Sequence, residues 1–143
     1  VTVGIRSEII HASSVAVHNA GVVILGDSGC GKSGLALDLM SRGASLIADD
    51  RTVLSRQDDQ LVASVPAAIR GRIEARGVGI LGANYAGPTI VALAVDLDKN
   101  NSERLPPLRC LTLLGIEIDL IFGGATPNLA AVITQYLKGT RVA

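Results

Sequence analysis

The stretch Val22-Val23-Ile24-Leu25-Gly26-Asp27-Ser28-Gly29-Cys30-Gly31-Lys32-Ser33 decides the fold. Its last eight residues fit G-x-x-x-x-G-K-[ST], a loop whose backbone N–H groups wrap a phosphate. The four apolar residues before it read as a buried strand. Residues 33–42 after it read as a helix, with Leu35, Leu37, Leu39 and Met40 at its apolar positions and Gly43 as the stop signal. A strand, a glycine loop and a helix in that order set a helix N-terminus, with its partial positive charge, against the loop. Gly26, Asp27, Ser28, Gly29, Cys30 and Gly31 would then supply the cradle. Lys32 is placed to neutralise outer phosphates, and Ser33 to offer its hydroxyl to a magnesium ion. A glycine-rich turn with a chance Lys-Ser is the bland alternative, and both flanks argue against it.

Length and composition bound the rest. A chain of 143 residues is expected to form one domain, 1–143, with a proper core. Hydrophobic residues make up 48% and aromatic ones 2%, so the core must be Val, Ile, Leu and Ala, the texture of an α/β or mixed sheet. Lys and Arg together number 13, as do Asp and Glu, so no whole-molecule field draws the chain to nucleic acid or to an anionic membrane. The positive charge that a phosphate needs must be local. Cys30 and Cys110 form neither a disulfide framework nor a metal-spaced pair, and reduced thiols point to the cytoplasm. No apolar run reaches membrane-spanning length, and no secretory pattern opens the chain. It begins Val1-Thr2-Val3 rather than with Met, so a segment upstream is expected.

Along the chain, Val15-Ala16-Val17-His18 and residues 21–25 read as a hairpin turning at Asn19-Ala20-Gly21. Ser45-Leu46-Ile47-Ala48 is a short buried strand ending in Asp49-Asp50-Arg51. Residues 52–56 and 60–64 form another hairpin around Gln57-Asp58-Asp59. Residues 66–82 are rich in Gly and Arg, fit neither period, and read as an irregular functional segment. Residues 89–97 are a strong strand and 98–107 a surface loop, while 108–114 and 116–122 are two more strands. Thr126-Pro127 opens a last helix, as cap and first position, with Leu129, Val132, Ile133 and Leu137 on one face.

Chemistry gathers around the loop. Adjacent strand residues point to opposite sides, so Asp49 and Asp50 can serve two roles, one toward magnesium and one as acceptor of a proton. The C-terminal ends of parallel neighbouring strands would bring the pair to the loop. Glu74, among Arg70, Arg72 and Arg76, is either an ordinary ion-pair partner, a metal ligand or a group that orients the arginines. Arg104 is by default a solvated loop residue, or else an arginine reaching over a transferring phosphoryl group. His18 reads as structural.

The loop 26–33, the helix ending Arg42-Gly43, Leu46-Ile47-Ala48-Asp49-Asp50-Arg51 and Ile73-Glu74-Ala75-Arg76-Gly77-Val78-Gly79-Ile80 stand in an order and spacing that resemble the catalytic domain of bacterial HPr kinase/phosphorylase. The resemblance covers residues 11–97 and weakens beyond. It implies an α/β fold: a P-loop-containing mixed β-sheet with flanking helices, like phosphoenolpyruvate carboxykinase. It implies an ATP- and Mg2+-dependent serine kinase acting on an HPr-type phosphocarrier protein of the phosphotransferase system. Carried across, Lys32 holds the phosphates, Ser33 and Glu74 ligate magnesium, and Asp49 or Asp50, with the lean toward Asp50, accepts the serine proton. His11 matches the histidine that precedes the family's loop, and Arg104 best matches its catalytic arginine. The family also implies a homo-oligomer, a hexamer by precedent. The chain looks like the short, single-domain form. Family members also dephosphorylate HPr by phosphorolysis. Phe122-Gly123-Gly124-Ala125-Thr126-Pro127 stands where the family has an arginine-containing loop tied to that reverse reaction, and holds no arginine, so the reverse reaction stays open. The competing readings are an ATP-binding regulatory module and a small-molecule kinase or carboxykinase-like enzyme on the same loop.

Overall fold

The computed structural model describes residues 6–143. β1 (Ser7–Val17) and β2 (Ala20–Leu25) form the first hairpin, and α1 (Lys32–Ser41) follows the glycine loop. β3 (Ser45–Ala48), β4 (Arg51–Gln57) and β5 (Gln60–Ser64) come next, then a single 3-10 turn at Ala67–Ile69. β6 (Arg72–Ala75) and β7 (Gly79–Gly82) make a separate two-stranded hairpin. β8 (Thr89–Asn100), β9 (Arg109–Leu113), β10 (Ile116–Gly124) and α2 (Leu129–Gly139) complete the described chain.

The main sheet runs β2-β1-β4-β5-β8-β10-β9, with β3 on the side of β1. It is mixed: β8 is parallel to β2 and β10, and the remaining pairs are antiparallel. β8 meets β5 at Thr89 and Ile90, then β2 from Val91 to Asp96, so the path returns to β2 and the sheet curls on itself. This curl explains two separate cores. Val15, Val17, Val22, Ile24, Leu46, Leu93 and Val95 face α1 and α2. The alternate residues Ala12, Ala16, Val23, Ile47 and Ala94 face the inside of the curl with Leu54, Leu61 and Ala63. Period-two alternation thus feeds both faces. Alanines at 12, 16, 48, 63 and 94 suit the tighter inner face, where bulk would force the strands apart.

Leu39 shows how α1 is held. It is fully buried between the helix and the sheet, within the cluster that includes Ile133 of α2. Leu39→Ala is expected to cost about 3 kcal/mol through lost transfer energy and the cavity left behind. Equilibrium urea unfolding would measure it, and a loss under about 1 kcal/mol would mean that the helix repacks freely.

Several sequence expectations are corrected. β1 is 11 residues long, not a short strand beginning at Val15. Its first half pairs β4 and its second half lies between β2 and β3. His18 is not in a strand but in the two-residue turn His18-Asn19, where both φ angles are positive, 48° and 68°. That geometry matches the twist of the flanking strands. Residues 72–82 are a regular hairpin, and β8 continues three residues into the segment read as loop. Both helices flank the sheet on one face, because the curl fills the other. α2 begins after Asn128, whose φ of 55° is left-handed, rather than at Pro127. Its buried stripe is Ala130 and Ile133 with Leu129, Tyr136 and Leu137, and Val132 points outward.

Candidate active site

β2 and β3 run in the same direction on opposite sides of β1, which is antiparallel to both. They are therefore not the parallel neighbours that the sequence suggests, because β1 lies between them, yet their C-terminal ends open at one rim. The glycine loop leaves β2 there, and Asp49-Asp50 leave β3. Leu25 lies across from Ala12, and Ala48 from Ser14. The pairing shifts register between Ser14 and Val15, where β3 carries Ile47 as an extra residue.

The loop needs its glycines. Gly26, Gly29 and Gly31 have φ angles of 149°, 83° and 102°, which side-chain-bearing residues rarely adopt. A Cβ on Gly26 would also collide with the Cys30 sulfur. The Cys30 N–H donates to the Asp27 carbonyl at 3.1 Å and closes the turn. From β8, the parallel neighbour of β2, Asp98 accepts the Asp27 N–H at 2.8 Å. Lys32 is 6% exposed, and its ammonium donates to the carbonyls of Gly26 at 2.8 Å and Asp27 at 3.2 Å. These carbonyls hold the charge at the centre of the loop.

The two acids sit in unlike surroundings. Asp49 Oδ1 accepts the Ser33 hydroxyl at 2.6 Å and the Ser13 hydroxyl at 3.0 Å. Its Oδ2 accepts the backbone N–H of Glu74 at 2.9 Å, which ties β6 to the rim. Asp50 has a left-handed φ of 63° and a side chain 54% exposed. Its Oδ1 lies 4.0 Å from Lys32 Nζ and 3.9 Å from His11 Nδ1.

A cavity of about 430 Å³ lies over this rim. Ser28, Gly29, Gly31, Lys32, Ser33 and Gly34 form its floor, and Leu37, Asp49, Asp50, Glu74 and Arg76 its walls. Most of the residues predicted from sequence meet here. His11, 78% exposed, stands beside the cavity through Asp50. Gly26, Asp27 and Cys30 shape the loop from behind. Arg104 is not brought to the cavity: it lies in an exposed turn between β8 and β9. The arginine at the cavity is Arg76, whose guanidinium lies 3.6 Å from a Cβ built on Gly29. Sequence reasoning missed Ser13 and Asp98. Ser13 could have been noticed as a polar residue inside an apolar strand pattern, whereas Asp98 looked like loop.

The donor set suits a hard cation. Ser33, Asp49 and Glu74 bring only oxygen side-chain donors to the cavity, as magnesium prefers. Away from the site, Tyr136 donates to Asp119 Oδ2 at 3.0 Å. Burial pushes its hydroxyl above the usual phenol pKa, and the bond to Asp119 adds to that. No helix among the described residues is long and apolar enough to cross a membrane.

Comparison with known proteins agrees with this layout. The family model for the HPr Serine kinase C-terminal domain matches residues 5–98. The chain belongs to this family. The match takes in the loop, the acid pair and the β6–β7 hairpin. HPr kinase/phosphorylase of Levilactobacillus brevis is 44% identical over 91 residues, which is 62% of this chain and 29% of that protein. The enzyme of the same name from Pediococcus pentosaceus is 49% identical over 73 residues, 50% of this chain and 23% of its own. The chain thus spans under a third of these relatives' length. The solved structure of the Hpr(Ser) kinase/phosphatase from Coxiella burnetii superposes with a TM-score of 0.82 at 29% identity, over 94% of this chain and 91% of that one. The mixed, curled α/β sheet is thus shared with an HPr kinase.

Proposed function

We propose that this domain transfers the γ-phosphoryl group of ATP to a serine hydroxyl of an HPr-type phosphocarrier protein. The observation that carries the reading is the unlike placement of two carboxylates around one buried lysine. A serine hydroxyl attacks weakly until a base accepts its proton. Asp50 suits that base, being open to solvent on the cavity wall and beside the Lys32 ammonium. As the serine oxygen bonds to the γ-phosphorus, the bond to the ADP oxygen breaks and the serine proton passes to Asp50. Lys32 stabilises the charge that builds on the transferring group, and the α1 N-terminus, which has no side-chain cap, adds its dipole. His11 stands 3.9 Å from Asp50 and would help to orient it. Arg76 is better placed over the loop than Arg104 to meet phosphate oxygens.

Asp49 suits a different task. Three donors on its two oxygens hold it fixed. Magnesium would be held by Ser33 and Glu74, with Asp49 orienting Ser33, and would supply neutralisation of phosphate charge.

Incubation with γ-labelled ATP, Mg2+ and HPr tests the reading. Label on a carrier serine is expected. Tight ATP binding without transfer would instead make the domain a regulatory nucleotide module.

A further inference from the structure

We propose that Ser13 is the positioning residue that sets both acids of the site. The inference rests on the phosphoryl-transfer reading only for its kinetic consequence; the positioning itself is a matter of geometry. Ser13 is wholly buried in β1, on the same face as Val15 and Val17, beneath the start of α1. Its single hydroxyl makes two bonds. It donates to Asp49 Oδ1 at 3.0 Å and accepts the backbone N–H of Asp50 at 3.0 Å. One atom therefore fixes the carboxylate of the first acid and the backbone of the second.

Both bonds matter physically. The bond to the Asp49 carboxylate is part-buried, and its loss leaves an oxygen that Ser33 alone must orient. The bond from Asp50 holds a residue with a φ of 63°, a left-handed conformation that few side chains besides Asn and Asp adopt. Without an acceptor for that N–H, the turn can relax to a more ordinary backbone geometry and swing the Asp50 carboxylate from Lys32. The Ala12 N–H, which donates to the Asp50 carbonyl at 3.1 Å, fixes the other end of the same peptide region. Ser13 thus holds the Asp49-Asp50 turn rather than simply filling the strand.

The adjacent residue is a natural control. Ser14 is equally buried but faces the inside of the curl. Its hydroxyl pairs with Thr52 Oγ1 at 2.8 Å, Thr52 donates onward to the Ala12 carbonyl at 2.8 Å, and neither acid is touched. Ser13→Ala and Ser14→Ala each remove one buried hydroxyl from one strand, on opposite faces.

The test compares Ser13→Ala, Ser13→Thr and Ser14→Ala by kinetics with ATP and HPr, by melting temperature and by amide hydrogen exchange. Ser13→Ala is expected to lower kcat about 10- to 100-fold, the usual cost of losing a group that orients a reacting residue, with KM for ATP unchanged. Ser13→Thr, which keeps the hydroxyl, should restore most of the rate. Ser14→Ala should melt earlier yet keep the wild-type kcat. Exchange at the Asp50 amide should accelerate in Ser13→Ala and not in Ser14→Ala. Equal kcat losses in the two alanine variants, or unchanged Asp50 exchange in Ser13→Ala, would overturn the proposal. If the unaltered protein transfers no phosphate, the functional reading fails by itself, and the exchange measurement still decides whether Ser13 positions the acids.

Discussion

Asp50→Asn is expected to lower the rate of phosphoryl transfer about a thousandfold, within the range that a positioned general base contributes. The amide keeps the size and shape of the side chain but cannot accept the proton. Asp50 is half exposed and takes no side-chain hydrogen bond, so melting temperature and ATP affinity should barely change. Asp49→Asn should behave differently. Its new amide N–H2 would face donors from Ser13, Ser33 and the Glu74 backbone, and a donor set against donors is mispaired. That variant should melt earlier as well as react more slowly. Single-turnover rates and thermal unfolding on both variants separate the two roles. Full activity in Asp50→Asn would remove it as the base.

The second large effect is expected at Lys32. Lys32→Met keeps the buried aliphatic stem and deletes only the ammonium. The charge is centred by the Gly26 and Asp27 carbonyls and is almost wholly shielded from water. In such a setting a preorganised charge counts for far more than it would in solvent. A loss of about a hundred- to a thousandfold in kcat is expected, on the scale of removing one transition-state donor. ATP should also bind more weakly, because the same ammonium meets the ground-state phosphates. Equilibrium nucleotide binding and initial rates measure the two parts. A variant that binds and reacts within a few-fold of the original would show that Arg76 or the loop backbone does the work assigned to Lys32.

Most of the residues that line the cavity are readable from the chain. Local patterns suffice where neighbours in sequence are neighbours in space. The run from Val22 to Ser33 spells strand, loop and helix because each piece obeys its own period or turn rule. Asp49 and Asp50 were visible because they end an apolar strand. The β1–β2 turn at His18-Asn19, the start of α2 and the regular β6–β7 hairpin were misread, since glycine-, asparagine- and arginine-rich stretches admit several local geometries.

Arg104 shows where resemblance by spacing runs out. A polar loop between strands can lie at either end of the sheet, and the structure leaves this one exposed, with Arg76 at the cavity instead. Asp98 shows the converse. It looked like part of a loop, yet it extends β8 and receives the Asp27 N–H from 71 residues away. No local pattern could have announced that bond.

The sequence by itself determined the loop, the following helix, the alternation of the buried strands and the acids that end β3, because each is written in consecutive residues. Only the tertiary structure decided how they meet. β1 had to run antiparallel between β2 and β3, and β8 had to reach both β5 and β2, before the sheet could curl and the loop and acids could share one rim. Pairings of that kind are chosen by the summed burial of two cores, and no single stretch of chain contains that sum. The same pairing placed Ser13 between the two acids and gave each a different environment. The proposed division of roles, Asp50 as base and Asp49 as anchor, rests on that difference in surroundings.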